Sequence, residues 1–238
     1  MYVVARTHLG LTYPAITFTL NTMKAHFNRL YVCCVLFLSL FSKLGQAEEY
    51  TLLVYGDSLS AAYGIDEKDG WVQLLAAKIA AEDWPYLVIN GSVSGETSTG
   101  GLKRLPAMLQ SYEPDLVILE LGGNDGLRGL PLNLLRQNLM SMIDLIQQTN
   151  ASVLLTGIQI PPNYGPRYTE PFFELYSEIA KVQTLSLVPF LIDGIPQQPE
   201  LMQNDGIHPT AEAQPMIVDN VWPLLEPMLE AQTGSERN

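Results

Sequence analysis

Cysteine and histidine are scarce in this 238-residue chain, and their positions make them scarcer still. There are two cysteines and three histidines. Cys33 and Cys34 sit side by side in an apolar run, and His8 and His26 lie in the same N-terminal region. That region reads as an export signal. Met23-Lys24 opens a stretch with Lys24 and Arg29, the apolar residues Leu30 to Phe41 follow, and Gly45-Gln46-Ala47 offers a small-x-small cleavage site. The run is too short for a membrane span, which needs about 20 apolar residues; an uncleaved anchor is the alternative. Leu30-Tyr31-Val32 before Cys33 lacks the small residue of a lipid-anchor signal. Residues 1–22, ahead of the better start at Met23, are expected to be an over-called translation start. Without residues 1–47, no cysteine remains for a disulfide, a thiol nucleophile or a metal site. One imidazole remains, His208. One histidine and no cysteine do not make an ordinary zinc site, so no metal and no cofactor are expected.

Basic residues are also few. Of the thirteen, Arg6, Lys24, Arg29 and Lys43 fall before residue 48 while none of the 25 acidic residues does, which leaves nine against 25 and a net of −16. A surface that acidic repels nucleic acid and anionic membranes, so neither is expected as a partner. A monomer is expected, exported to the periplasm or beyond. G-x-G-x-x-G and G-K-S/T motifs are missing, which removes support for a nucleotide site.

What is present is a repeated pattern. Apolar, strand-like runs at Leu52–Tyr55, Tyr86–Asn90, Asp115–Leu121, Ser152–Ile158 and Leu187–Ile192 alternate with stretches of helical periodicity at Trp71–Ile79, Thr99–Ser111, Leu132–Gln148 and Thr169–Gln183. Pro189 places the fifth run at a sheet edge. A last helical region carries Pro215, Pro223 and Pro227 and is expected to be kinked or broken. No repeat or composition break divides the chain. One α/β domain with a five-stranded parallel sheet over 48–232, and a frayed tail over 233–238, are therefore expected.

Three strands end in small, polar turns: Gly56-Asp57-Ser58, Gly91-Ser92-Val93-Ser94-Gly95 and Gly122-Gly123-Asn124-Asp125. In an open parallel sheet ligands bind beyond the strands' C-terminal ends, so these turns share one rim. Ser58 is a candidate nucleophile that needs a base, and His208 is the imidazole available to it. Asp205, three residues earlier on a non-helical turn, can reach back to the same ring and fix its tautomer. The alternative for Asp57 or Ser58 is a plain N-cap, and for Asn124 a turn residue. For acyl transfer, the backbone N–H groups of Ser58 and Gly95 and the Asn124 side-chain amide are candidate oxyanion donors. Ser60 stands where a Gly-x-Ser-x-Gly elbow would have its second glycine, so the common α/β-hydrolase arrangement is excluded.

Gly-Asp-Ser-Leu-Ser at 56–60, Gly95, Gly-Gly-Asn-Asp at 122–125 and Asp-Gly-Ile-His-Pro at 205–209 resemble, in order, the four sequence blocks of the SGNH (GDSL) hydrolase family. The resemblance implies a flavodoxin-like three-layer α/β/α sandwich. It implies Ser58 as nucleophile, His208 as base, Asp205 as its orienting acid, and Ser58, Gly95 and Asn124 as oxyanion hole. It also implies small-molecule acyl esters or thioesters as substrates: fatty acyl-CoA, lysophospholipids and aryl esters. More weakly, it implies a mobile segment Leu127–Leu132 over an acyl groove, with Leu127, Arg128, Pro161 and Tyr164 along its walls. A carbohydrate acetylesterase of the same fold and a non-catalytic binding module are the competing readings.

Overall fold

Five short strands alternate with helices through residues 49–234, the part of the chain described by the computed structural model. The expected over-called start and export signal, and the last four residues of the tail, lie outside the described residues. In chain order the elements are β1 (Tyr50–Gly56), α1 (Trp71–Ala81), β2 (Tyr86–Asn90), α2 (Ser98–Tyr112), β3 (Leu116–Glu120) and the short α3 (Gly123–Leu127). They continue with α4 (Leu132–Gln147), β4 (Ser152–Thr156), α5 (Pro166–Gln183), β5 (Ser186–Val188) and α6 (Gln214–Thr233).

All strand pairs are parallel, in the order β2-β1-β3-β4-β5. This is the flavodoxin-like order, whose direction reverses between β1 and β3. The strands read as unbroken apolar runs because both faces are covered. Leu52, Val54, Leu116, Ile118 and Leu154 face one layer, packing with Trp71 and Leu75 of α1 and Ile217, Val221 and Leu225 of α6. Leu53, Tyr55, Val117, Leu119 and Leu155 face the other, packing with Leu105 of α2, Leu139 and Met142 of α4 and Phe172 and Tyr176 of α5. Each such side chain contributes about 1.5–3 kcal/mol on burial. Two layers of helix thus hold the sheet rigid, and its C-terminal rim carries the turns. No helix among the described residues is long and apolar enough to cross a membrane.

The structure differs from the sequence expectations at several ends. The last helix is assigned without a break from Gln214 to Thr233. Pro215 lies in its first turn, where an N–H has no partner to lose. Pro223 and Pro227 both fall on its exposed side, so water can serve the carbonyls they leave unpaired. Thr233 belongs to this helix, its hydroxyl donating to the Leu229 carbonyl at 2.9 Å, rather than to a frayed tail. Helix α5 begins at Pro166, three residues before the expected Thr169, because proline's fixed φ suits a first helical position. Strand β5 is an edge strand, but it stops at Val188, just before Pro189. The Gly-Gly-Asn-Asp turn opens a helix of one turn, α3.

Candidate active site

In the sheet register Gly56, the last residue of β1, lies opposite Glu120, the last residue of β3. A side chain at Gly56 would run into the Glu120 carboxyl and the Ser60 hydroxyl, which is why glycine ends this strand. The chain then turns: Ala61 N–H bonds to the Asp57 carbonyl at 2.9 Å and Tyr63 N–H to the Ser58 carbonyl at 3.1 Å. No helix follows directly, so neither Asp57 nor Ser58 is a helix cap. Asp57 Oδ1 instead accepts the Leu59 N–H at 3.1 Å, closing an Asx turn that lifts Ser58 to the rim.

His208 arrives from the opposite side of the rim on a tight loop. Met202 and Pro209 bridge across its base, and Gln203 N–H donates to the His208 carbonyl at 2.7 Å. Gly206, at φ 66°, makes the bend between Asp205 and His208. His208 Nε2 lies 2.9 Å from Ser58 Oγ, and Nδ1 lies 2.7 Å from Asp205 Oδ2. With Asp205 as acceptor, Nδ1 carries the proton and Nε2 is free to accept the serine O–H. Asp205 Oδ1 also accepts the backbone N–H of Ile207 and of His208, at 2.9 and 3.1 Å. Burial raises the Asp205 pKa, but the hydrogen bonds from the His208 ring and from these two amides outweigh it, and the net shift is downward.

Asn124 sits in the first turn of α3, behind Gly122 (φ 125°) and Gly123. Its Nδ2 donates to Asp57 Oδ2 at 3.1 Å. The turn is anchored by a buried network: Asp125 accepts from the Ser98 amide at 2.7 Å and the Ser98 hydroxyl at 2.6 Å, and Asn138 Nδ2 donates to Ser98 Oγ at 2.9 Å. Gly95 lies on an exposed turn between β2 and α2 at φ 80°, with open space where a Cβ would be. Its carbonyl accepts from the Arg128 guanidinium at 3.1 Å, which ties the Gly95 turn to the end of α3.

Ser58 and Asn124 both line a cavity of about 240 Å³. Its further walls include Leu127, Ile158, Ile160, Pro161, Leu191 and Ile192. Leu127 and Pro161 lie on the cavity wall. Arg128 and Tyr164 stand beside it: Arg128 bonds Gly95, and the Tyr164 hydroxyl donates to the Leu127 carbonyl at 2.8 Å. The wall after β5, at Phe190–Ile192, had no signal in the sequence. Among the described residues no group of three or more His, Asp or Glu is arranged to hold a metal ion.

Two buried acids behind the serine also escaped the sequence reading. Asp57 is 2% exposed and Glu120 0%. Glu120 Oε2 accepts the Asp57 N–H at 3.0 Å and the Ser60 hydroxyl at 2.8 Å, while its Oε1 is buried with no partner. Burial, and then the Asp57 charge, push Glu120 well above the usual carboxylate range. Burial likewise pushes Asp57 up to about 6, opposed by the bonds from Leu59 and Asn124 and by His208. An acid closing an otherwise apolar run, as Glu120 closes Leu116–Leu119, was the one available hint.

A rim site of this kind, on a β2-β1-β3-β4-β5 parallel sheet, defines a hydrolase class, and sequence comparison names it. The pattern of the GDSL-like Lipase/Acylhydrolase family matches residues 54–214, and the chain belongs to that family. It is 53% identical over 184 residues to esterase TesA of Pseudomonas aeruginosa, covering 77% of this chain and 92% of that one. It is 42% identical over 179 residues to thioesterase 1/protease 1/lysophospholipase L1 of Escherichia coli K12, covering 75% and 85%. The crystal structure of the psychrotrophic esterase EstA from Pseudoalteromonas, inhibited by monoethylphosphonate, matches with a TM-score of 0.73 at 44% identity, covering 76% of this chain and 100% of that one. The protein is thus an SGNH-type serine esterase, an enzyme that hydrolyses acyl esters.

Proposed function

We propose that Ser58, His208 and Asp205 carry this hydrolysis, and that the substrates are fatty acyl esters and thioesters, including acyl-CoA, lysophospholipids and aryl esters, met in the periplasm by a monomeric enzyme. The observation that carries the reading is the Asp205–His208–Ser58 hydrogen-bond chain ending at the mouth of the cavity. Ser58 Oγ attacks the acyl carbon as its proton passes to His208 Nε2. Asp205 stabilises the imidazolium. The oxyanion is received by the Ser58 and Gly95 amides and the Asn124 side chain, each donor contributing about 3–4 kcal/mol in the transition state. His208 then protonates the departing alcohol or thiol. A water molecule then attacks the acyl carbon as its proton passes to His208, and His208 returns that proton to Ser58 Oγ as the acyl–serine bond breaks and the carboxylic acid leaves.

The aliphatic walls Leu127, Ile158, Ile160 and Leu191 favour a hydrocarbon chain over a sugar acetate. The thioesterase and lysophospholipase named in the Escherichia coli relative supports the thioester and lysolipid part of the reading. The test is a p-nitrophenyl ester and acyl-CoA panel in which acyl length and leaving group vary separately, with Ser58→Ala as control. Long acyl chains should be preferred over acetate, and Ser58→Ala should be inactive with an unchanged thermal midpoint. Full activity in Ser58→Ala would overturn the serine mechanism, and a strict preference for acetate the acyl-chain reading.

A further inference from the structure

Asp57 is nearly fully buried one residue before the serine, and the reaction written above gives it nothing to do. Its carboxylate oxygens divide their work. Oδ1 holds the Leu59 amide at 3.1 Å, and Oδ2 holds Asn124 Nδ2 at 3.1 Å. We infer that Asp57 is a positioning residue that sets the orientation of the Asn124 amide, so that a donor and not an acceptor faces the developing oxyanion. This rests on the proposed role of Asn124.

The physical argument concerns the two ends of an asparagine side chain. The terminal torsion of asparagine is broad and roughly two-fold, so nothing intrinsic to Asn124 decides which end faces the cavity. A carboxylate accepts hydrogen bonds and gives none. Beside Asp57 Oδ2 the amide must therefore present Nδ2. Its plane is then set, and its second N–H is left for a substrate oxygen. With the amide turned over, Oδ1 would face the Asp57 carboxylate and the oxyanion would meet the wrong dipole.

The surroundings serve this contact. A Cβ on Gly123 would come 3.0 Å from Asp57 Oδ2, so the glycine lets the start of α3 press against the carboxylate. Asp57 is itself held from behind, because its backbone N–H donates to Glu120 Oε2 at 3.0 Å. Burial pushes the Glu120 carboxyl well above the usual carboxylate range, which disfavours a second negative charge beside Asp57. The line Glu120, Asp57, Asn124 runs from the core to the cavity without passing through His208.

A double-mutant cycle tests this, using kcat and KM for a p-nitrophenyl ester on Asp57→Ala, Asn124→Ala and the double variant, with thermal midpoints recorded for each. Asn124→Ala should lose about 10²–10³ in kcat, as removal of one oxyanion donor does. Asp57→Ala should lose about 10²-fold in kcat with KM within about threefold, and in the Asn124→Ala background the same substitution should cost almost nothing further. Asp57→Asn, whose single oxygen can serve Leu59 or Asn124 but not both, should fall between wild type and Asp57→Ala, which keeps the test available if the alanine variant folds poorly. A multiplicative loss in the double variant, or a wild-type kcat in Asp57→Ala, would refute the inference while leaving the serine mechanism intact. A wild-type kcat in Asn124→Ala would instead remove the role assigned to Asn124.

Discussion

The Tyr63 ring lies 4.6 Å from the His208 ring, centroid to centroid, at an angle of 41°. Tyr63 belongs to the turn that carries Ser58, and its carbonyl accepts from Gln203 Nε2 at 2.8 Å. Besides the Ser58–His208 contact, the serine turn and the histidine loop are thus joined by a side-chain amide and by a ring contact. The ring face is also suitably placed to stabilise the imidazolium formed when Ser58 gives up its proton.

A ring contact of this kind is worth about 0.5–1.5 kcal/mol. Tyr63→Ala should therefore lower kcat/KM by about threefold to tenfold with little change in thermal midpoint, since Tyr63 is 51% exposed. Tyr63→Phe should remain near wild type. Steady-state kinetics on a short aryl ester checks both, and equal losses in the two variants would assign the effect to the hydroxyl instead.

Glu120 makes a different prediction. Burial pushes it toward its neutral form, which resembles glutamine in shape and in its capacity to accept. Glu120→Gln should unfold within about 1 kcal/mol of wild type near neutral pH. Glu120→Ala strips the acceptor from both the Asp57 N–H and the Ser60 hydroxyl and should cost about 2–5 kcal/mol by denaturant titration.

The pH dependence has a definite sign. Asp57, pushed up to about 6, binds its proton more tightly in the folded chain than in the unfolded one. The stability this contributes is complete below about pH 4, the ordinary aspartate range, and is lost as pH rises through about 6. Asp205 has the opposite sign: it is held low, so its contribution is present above about pH 4 and lost as pH falls through its lowered value. Thermal midpoints of Asp57→Asn minus wild type should therefore be more positive at pH 7.5 than at pH 4.5. A difference that does not vary with pH would show Asp57 to be an ordinary carboxylate.

The cavity wall can be filled from within. Ile160 is 8% exposed and lines the cavity. Ile160→Trp should reduce turnover of long-chain p-nitrophenyl esters by tenfold or more relative to the acetate, while acetate turnover stays within about threefold. The ratio of the two rates is the measurement, and an unchanged ratio would place the acyl chain elsewhere.

Much of this protein is legible in its residues because the signals are local or exclusive. Unbroken apolar runs such as Leu116–Leu119 define buried parallel strands, since only a sheet covered on both faces hides every side chain of a strand. Once residues 1–47 are set aside, His208 is the only imidazole, so its pairing with Ser58 across 150 residues needs no alignment to suspect. The short spacing from Asp205 to His208 is likewise a local matter of turn geometry.

Other features depend on neighbours distant in sequence. Pro223 and Pro227 look like helix breakers until the fold shows them on the exposed side of α6, where water can take up the freed carbonyls. Phe190–Ile192 becomes cavity wall only because β5 lies at the sheet edge beside β4. Asp57 and Glu120 read as a turn residue and a strand end; that they form a buried acid pair behind Ser58 follows from the parallel register of β1 and β3, which brings Gly56 opposite Glu120. The order of residues is enough to set the strand–helix alternation and to say which serine, histidine and aspartate are available for chemistry. Tertiary structure alone decided which acids were buried together, because desolvation and contact are properties of packed neighbours rather than of any one stretch of chain.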